Sequence, residues 1–408
     1  MALKNASPRL LVGFGEALAA PEVYWSLRDA GFETTFYFRK GKRSSARSLR
    51  GMRVLEVTAP ETHAARFVED IIVACEQHGP FDGVMPLEDA SLLLLHDASL
   101  AVPFLGPRGP QAAIAIDKAE QFRYAEDAGF DVPGYIVVNG RGSAPSSPRG
   151  IDWNPEHPVI VKSAVIGVVA PADANAAAAG LTRPGGRYHP NAHSALDAIA
   201  GNDVLDTPWI LQNVKVGVGE GVFGMSGSYG VRAISGHRRV RMMDPAGSGS
   251  SACKTRMPDE QVRACVERFC QRCQWQGLFM IELLQELETN RHWFMELNGR
   301  TWGSTALARR CGLEYPAWHV EQMLRDTVPP DLAPAREVLA RDLGREFIHF
   351  LFVMRGNRKH APSWPGRCST IWNLIRPGSS TRWYNSDPSQ RFFPLRDAIS
   401  TVRSFLSR

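Results

Sequence analysis

The chain has 408 residues, 44% of them hydrophobic and 22% charged, with a mean hydropathy of −0.21; this is a globular composition, too long for one compact core, so two or three packed units are expected. No apolar run approaches the length of a bilayer span, and seven scattered cysteines, an odd number, do not form a secreted disulfide framework. The net charge of +5 is uneven, because residues 331–408 hold thirteen Lys/Arg against six Asp/Glu and leave the rest near neutral.

Near the N-terminus, Lys4, Arg9 and the small residues at 17–20 imitate a secretion signal, but Glu16 puts a charge in its apolar centre. Leu10-Leu-Val-Gly-Phe-Gly15 serves better as a first strand, and a cytoplasmic location is expected. Residues 10–105 then alternate: strand 10–14, helix 21–30, strands 34–38 and 54–57, helix 63–78, strand 83–85. Strands separated by helical patterns predict a parallel, Rossmann-like sheet with helices on its faces. Gly13-Phe-Gly15 lacks the third glycine of a dinucleotide fingerprint and reads as a tight turn.

A helix is predicted over 114–129, stopped by Gly129, followed by a strand within 131–138. Residues 139–154, rich in Gly, Ser and Pro, predict a surface loop. A short strand, 158–162, leads into the small-residue segment 163–186, expected to be a flap or an unstructured insert. Strand 209–214 precedes a glycine turn at 217–221 and further strand pattern through 225–233, and the basic run Gly236-His-Arg-Arg-Val-Arg241 follows.

Cys265, Cys270, Cys273 and the more distant Cys311 match the spacing of an iron–sulfur site. The surrounding apolar residues recur at helical spacing, however, so Cys265, Phe269 and Cys273 are expected on the inward stripe of a helix.

Residues 279–300 read as a β-hairpin whose apolar arms flank the polar turn Glu288-Thr289-Asn290. With the turn centred on Thr289, Glu282 faces Glu296, and Asn298 shares the face of Glu296. Like charges opposed across a ladder repel, so the pair calls for a cation, and three oxygen ligands suit Mg²⁺. Arg300 on the same side points to a phosphate as the group being held. The alternative is a solvent-facing hairpin whose polar residues alternate with a buried face of Ile281, Leu283, Met295 and Leu297. Residues 302–311 begin the next helix. For the basic tail, with Trp364, Trp372, Trp383, Phe392 and Phe393, the alternatives are an anionic partner or membrane surface, and a solvated face on a small helical extension packed through its aromatics.

Taken in order, Asp117-Lys118, Ala128-Gly129 with Val132-Pro133, Pro158-Val-Ile-Val-Lys162, Ile210-Leu-Gln-Asn-Val214, Glu282, Glu296-Leu-Asn-Gly-Arg300, Trp302-Gly-Ser and Cys311-Gly-Leu-Glu-Tyr-Pro316 resemble an ATP-grasp enzyme over residues 5–325. His237-Arg-Arg239 and the loop after it resemble carbamoyl-phosphate-synthase-like members and carboxylate–amine ligases. The resemblance implies an α/β chain: a Rossmann-like domain at 1–110, a two-subdomain ATP-grasp α+β fold at 111–325 (111–207 and 208–325), and a small C-terminal extension at 326–408. It further implies that Lys118 and Lys162 hold nucleotide phosphates, that Gln212, Asn213 and Val214 present the adenine hinge, and that Glu220 accepts from the ribose. Glu282, Glu296 and Asn298 would bind Mg²⁺, with Mn²⁺ able to use the same ligands. Arg300 would hold the transferred phosphoryl group, and His237 and Arg239 a phosphate or substrate carboxylate, although an Arg-rich strand also fits an exposed sheet edge. Two departures stand out: Lys162-Ser163 replaces the usual Lys-Pro, and Met242-Met243 stands where an acid is common.

The implied activity is ATP-dependent joining of a small carboxylate to an amine through an acylphosphate. The rivals are bicarbonate activation through carboxyphosphate, and an inactive nucleotide-binding scaffold docked by its basic tail. No recognition motif supports nucleic acid as a partner, and a homodimer is compatible with the reading.

Overall fold

The computed structural model describes residues 7–138, 149–165, 186–200, 208–247, 249–357, 364–376 and 378–407; most of the expected 139–154 loop and 163–186 flap lie outside them. Strands β1 (Arg9–Gly13), β2 (Glu33–Arg39), β3 (Arg53–Val57) and β4 (Gly83–Pro86) form a parallel sheet in the order β3-β2-β1-β4. Strand alternation gives it two apolar faces. Leu10, Val12, Phe36 and Phe38 pack with Val23 and Trp25 of helix Ala20–Asp29, whereas Leu11, Tyr37 and Val84 pack with Phe67 and Ile71 of helix Ala64–Gln77. The Rossmann-like expectation for this segment is met. The turn glycines answer to packing: a Cβ on Gly13 would lie 2.6 Å from the Tyr37 ring, and one on Gly15 2.3 Å from the Phe38 ring.

The helix expected over 114–129 is two helices, Pro110–Ile116 and Lys118–Asp127. Asp117 leaves the helical conformation to cap the second, its Oδ1 accepting from the amides of Ala119 (2.7 Å) and Glu120 (3.2 Å). A second, four-stranded sheet follows in the order β5-β8-β6-β7, from β5 (Tyr135–Val138), β6 (Val159–Ser163), β7 (Arg187–His189) and β8 (Trp209–Asn213), backed by helix Ala192–Ala200.

The third sheet has seven strands: β9 (Val218–Gly227), β10 (Gly230–Met242), β11 (Ser250–Thr255), β12 (Gly277–Gln285), β13 (His292–Asn298), β14 (Leu339–Arg341) and β15 (Thr381–Trp383), in the order β13-β12-β9-β10-β11-β14-β15. Two expectations are corrected here. Most of the supposed glycine turn at 217–221 is the start of β9, and the Arg-rich run lies on β10 in the middle of the sheet, so it is no exposed edge. Cys265 and Cys270 fall on helix Glu260–Arg272, as the apolar spacing predicts, and Cys273 caps its end; these three and Cys311 are buried free thiols, and among the described residues no three His, Cys, Asp or Glu side chains gather as a metal cluster.

The C-terminal extension contributes β14 and β15 to the large sheet and helices Leu343–Arg355, Arg367–Ile375 and Phe393–Leu406. Glu346 on the first of these is buried and takes two hydrogen bonds at 2.9 Å from Arg241 on β10, a 2.8 Å bond from Ser251 and a 2.7 Å pairing with Arg341 on β14. The extension also closes on the first domain, where Phe393 meets Trp25 edge to face at 5.6 Å. Among the described residues no helix is long and apolar enough to cross a membrane.

Glu22, 1% exposed on helix Ala20–Asp29, pairs at 2.7 Å with both Arg309 and Arg310 and accepts the Asn385 amide at 2.8 Å. Glu22→Gln leaves two enclosed guanidiniums facing a neutral amide, and a loss of about 3 kcal/mol is expected. Thermal unfolding should show a lower midpoint; a midpoint equal to the parent's would contradict the assignment of this network.

Candidate functional site

Register alone assembles one row of side chains across four strands. Glu296 on β13 sits opposite Glu282 on β12, Glu282 opposite Gly221 on β9, and Gly221 opposite His237 on β10. On the next rung, Asn298 sits opposite Met280 on the same face. The pairing of Glu282 with Glu296 is the one expected from a turn centred on Thr289. Just beyond it the ladder shifts register, so Leu283 pairs with Phe294. In consequence the buried face carries Ile281, Leu283, Phe294 and Leu297, and Met295, expected there, is only half-buried.

The glycines of β9 make room for this row. A Cβ on Gly221 would stand 2.8 Å from His237 Cε1, and one on Gly219 would stand 2.6 Å from Arg239 Cδ. Both side chains therefore lie across a strand that only glycine leaves bare.

Cations from separate segments meet the acids. Lys118 Nζ lies 2.7 Å from Glu296, and Arg239 lies 2.8 Å from Glu282. Lys118 is aimed by its neighbour Gln121, fully buried, whose amide donates to the carbonyls of Ala115 and Leu297 and accepts the Leu297 amide at 2.9 Å. This clamp ties the helix to β13 one residue from Glu296. Burial would push the Glu296 carboxyl up, but Lys118 first, then Lys162 and Arg300, hold it down to about 2. Lys162, at the end of β6, is held down to about 7 by burial and by Lys118 beside it. Its Nζ stands 5.7 Å from the centre of the Phe122 ring.

Arg300 forms a fork with Asp89, Nε and Nη2 each 2.8 Å from a carboxylate oxygen, so the first domain holds it at the rim of the acid row. Burial works against its charge, yet Asp89 raises its pKa. His237 is buried beside Arg239, and both effects bring it down to about 3, which leaves the imidazole neutral. Its Nδ1 lies 2.7 Å from Ser304 Oγ, while Nε2 has no hydrogen-bond partner.

At the hinge, Gln212, the penultimate residue of β8, has both amide atoms buried and unpartnered, and register places it on the same face of the small sheet as Lys162. Asn213 points the other way, accepting the Asp152 amide at 3.1 Å. With Val214 it lines a separate cavity of about 910 Å³ that includes neither lysine and neither acid of the row. Glu220 is not where the ribose role requires. It pairs with Leu283 and Arg238, hence lies on the opposite face from Glu282, engaged by His292 (3.3 Å) and Arg238 (3.4 Å).

Asp89 and Gln121 had no signal of their own in the sequence, and Ser304 stood in the Trp302-Gly-Ser segment with no role attached. Asp117 did, since Asp117-Lys-Ala-Glu120 has the spacing of a capping box.

Solved structures provide the comparison. The L-amino acid ligase from Bacillus licheniformis superposes with a TM-score of 0.57 at 13% identity, covering 79% of this chain and 75% of that one. N5-carboxyaminoimidazole synthetase from Staphylococcus aureus, complexed with ADP, gives 0.58 at 11% identity over 88% and 87%. The biotin carboxylase–β,γ-ATP complex from Campylobacter jejuni gives 0.56 at 13% identity over 80% and 73%. The chain has the ATP-grasp fold. No protein-family model matches the sequence, and no curated protein matches it. Identities of 11–13% carry the ATP-grasp architecture and leave the chemistry to be argued from the residues.

Because His237 is held neutral, its ring signals in NMR are expected not to titrate above about pH 4. Gly221→Ala should displace the ring toward water and return its titration to the usual range near 6.5. An unchanged titration in that variant would contradict the close approach.

Proposed function

We propose that the chain is an ATP- and Mg²⁺-dependent ligase that activates a carboxylate as an acylphosphate for attack by an amine, releasing ADP and phosphate. The observation that carries this reading is the opposed Glu282–Glu296 pair, met by Lys118, Lys162, Arg239 and Arg300 from separate segments. Two acids facing each other with four cations around them suit the handling of a polyanion in exchange for a hard metal ion.

Glu282, Glu296 and Asn298 would hold Mg²⁺ or Mn²⁺. They supply only oxygen ligands of the kind these ions take, and Glu296 is kept ionised, as a ligand must be. The ion would supply neutralisation of charge on phosphate oxygens. Lys118 and Lys162 would hold the phosphates, and the face of Gln212 with the hinge backbone would meet the base. Arg300, its fork already oriented by Asp89, would face the transferred phosphoryl group. Arg239, with His237 as a neutral hydrogen-bonding group, would position the substrate carboxylate. Glu220 is left out of the nucleotide contacts because its side chain lies on the other face.

Displacement of phosphate by an amine needs no protein nucleophile, and none is assigned. The carboxyphosphate reading uses the same residues and differs only in its acceptor. ADP release in the presence of bicarbonate alone would favour it; release that requires both an organic carboxylate and an amine supports the ligase. In either case Glu296→Gln is expected to lower ADP release about a hundredfold or more with the circular dichroism spectrum unchanged. Turnover equal to the parent's would remove the metal assignment, and nucleotide binding without turnover across a broad acid and amine panel would favour the scaffold.

Lys162 supplies an independent test. With its amine down to about 7 in the free protein, the side chain is largely neutral at pH 8 and must take up a proton to meet a phosphate. Calorimetry at pH 8 in buffers of different ionisation enthalpy should show proton uptake on ATP binding. The uptake should vanish in Lys162→Met and fade in the parent below pH 6, where the amine is already charged.

A further inference from the structure

We propose that the outer faces of the C-terminal helices form a docking surface for an anionic lipid bilayer. Helix Phe393–Leu406 is fixed by one face only: Phe393 and Ala398 are buried, Phe393 against Trp25, and Asp397 bonds to Asn385 at 2.7 Å and to Ser45. Its other side exposes Phe392 (78%), Leu395 (54%), Ile399 (44%) and Leu406 (62%). At 3.6 residues per turn these four fall within about 60° of one another, and Arg396 and Arg403 lie directly beside that stripe. Helix Arg367–Ile375 repeats the pattern. Only Thr370 is buried on it, while Ile371, Trp372 and Ile375 face water and Arg376 lies over the Trp372 ring at 4.4 Å. Phe347 on helix Leu343–Arg355, which contacts both others, is also exposed.

Exposed apolar residues scattered singly need no explanation, but this many grouped on adjoining short helices do. Their charges select the occupant. On other helices several arginines have acids beside them, as in Arg123 with Glu120 and Arg263 with Glu267. Here Arg355, Arg367, Arg376, Arg391, Arg396 and Arg403 have no carboxylate within ion-pair distance among the described residues. A second copy of the chain would bring the same +7 region against itself. Nucleic acid would satisfy the arginines but offer nothing to Leu395, Ile399, Ile371 and Ile375. An anionic bilayer accepts both sets: headgroups take the guanidiniums, the acyl boundary takes the aliphatic stripe, and Trp372 suits the interface between them. Both helices are far too short to cross and would lie in the plane of the surface.

The test is co-sedimentation of the full chain with vesicles of phosphatidylcholine mixed with phosphatidylglycerol, compared with phosphatidylcholine alone. Binding is expected only to the mixed vesicles and should weaken with added salt. Arg396→Glu with Arg403→Glu should reduce it by at least about thirtyfold. Leu395→Ser with Ile399→Ser, and separately Trp372→Ser with Ile375→Ser on the other helix, should each reduce it at least about tenfold, with thermal midpoints near the parent's. Three results would overturn the proposal. One is absence of binding to the mixed vesicles. Another is binding that ignores both apolar pairs, which describes simple electrostatic adsorption of the kind a nucleic acid or acidic protein would share. The last is a chain that elutes as a dimer, becomes monomeric in the apolar variants and leaves vesicles unbound, which would make the face a contact between copies.

Discussion

Everything in the site depends on strand register. Two hairpins, β9 with β10 and β12 with β13, bring Glu296, Glu282, Gly221 and His237 into one line because each strand pairs with its neighbour at a fixed residue, and a slip by one would send every side chain to the opposite face. Glu220 shows the effect: one residue from Gly221, it belongs to another surface. Two like charges held opposite each other are unfavourable in isolation. They are tolerated because Lys118 and Arg239 stand 2.7–2.8 Å away, and those cations are in turn placed by Gln121 and by the bare backbone of Gly219.

The hairpin was readable in the sequence because both arms have a period of two around a polar turn, so counting outward from Thr289 brings the acids together. Its register shift was not readable, since nothing in Phe294-Met295-Glu296 announces an extra residue, and Phe294 takes the core position that pattern alone gives to Met295. Gly217, Gly219 and Gly221 resembled turn punctuation. Two of them are strand glycines whose cause lies on β10, in side chains that cross over them, and a pattern confined to one segment cannot show that. The same holds for Asp89, which shares no motif with Arg300 and is joined to it only by domain packing. Strands β14 and β15, three residues each, are too short for any periodicity to register.

Strand β10 is a spine for charge. Arg238, Arg239 and Arg241 each go to a different acid: Glu220 on one face, Glu282 in the site, and Glu346 in the C-terminal extension. An arginine-rich run in the middle of a sheet is sustainable only with such partners, because an unpaired guanidinium there would be costly. The extension is therefore part of the body that carries the site, although its outer surface differs in character from the rest of the molecule.

The contacts of Glu22 have a consequence for the order of assembly. Helix Ala20–Asp29 is synthesised well before the partners of its buried carboxylate, which lie 287, 288 and 363 residues further along the chain. Until Arg309, Arg310 and Asn385 arrive, that face of the first domain holds a carboxylate without its partners, which is better left in water than enclosed. The outer layer of the first domain is thus closed by segments made long after its sheet: a chain that has not reached Arg309 leaves Glu22 without either guanidinium, and one that has not reached Asn385 leaves it without that amide and leaves Trp25 without the Phe393 ring.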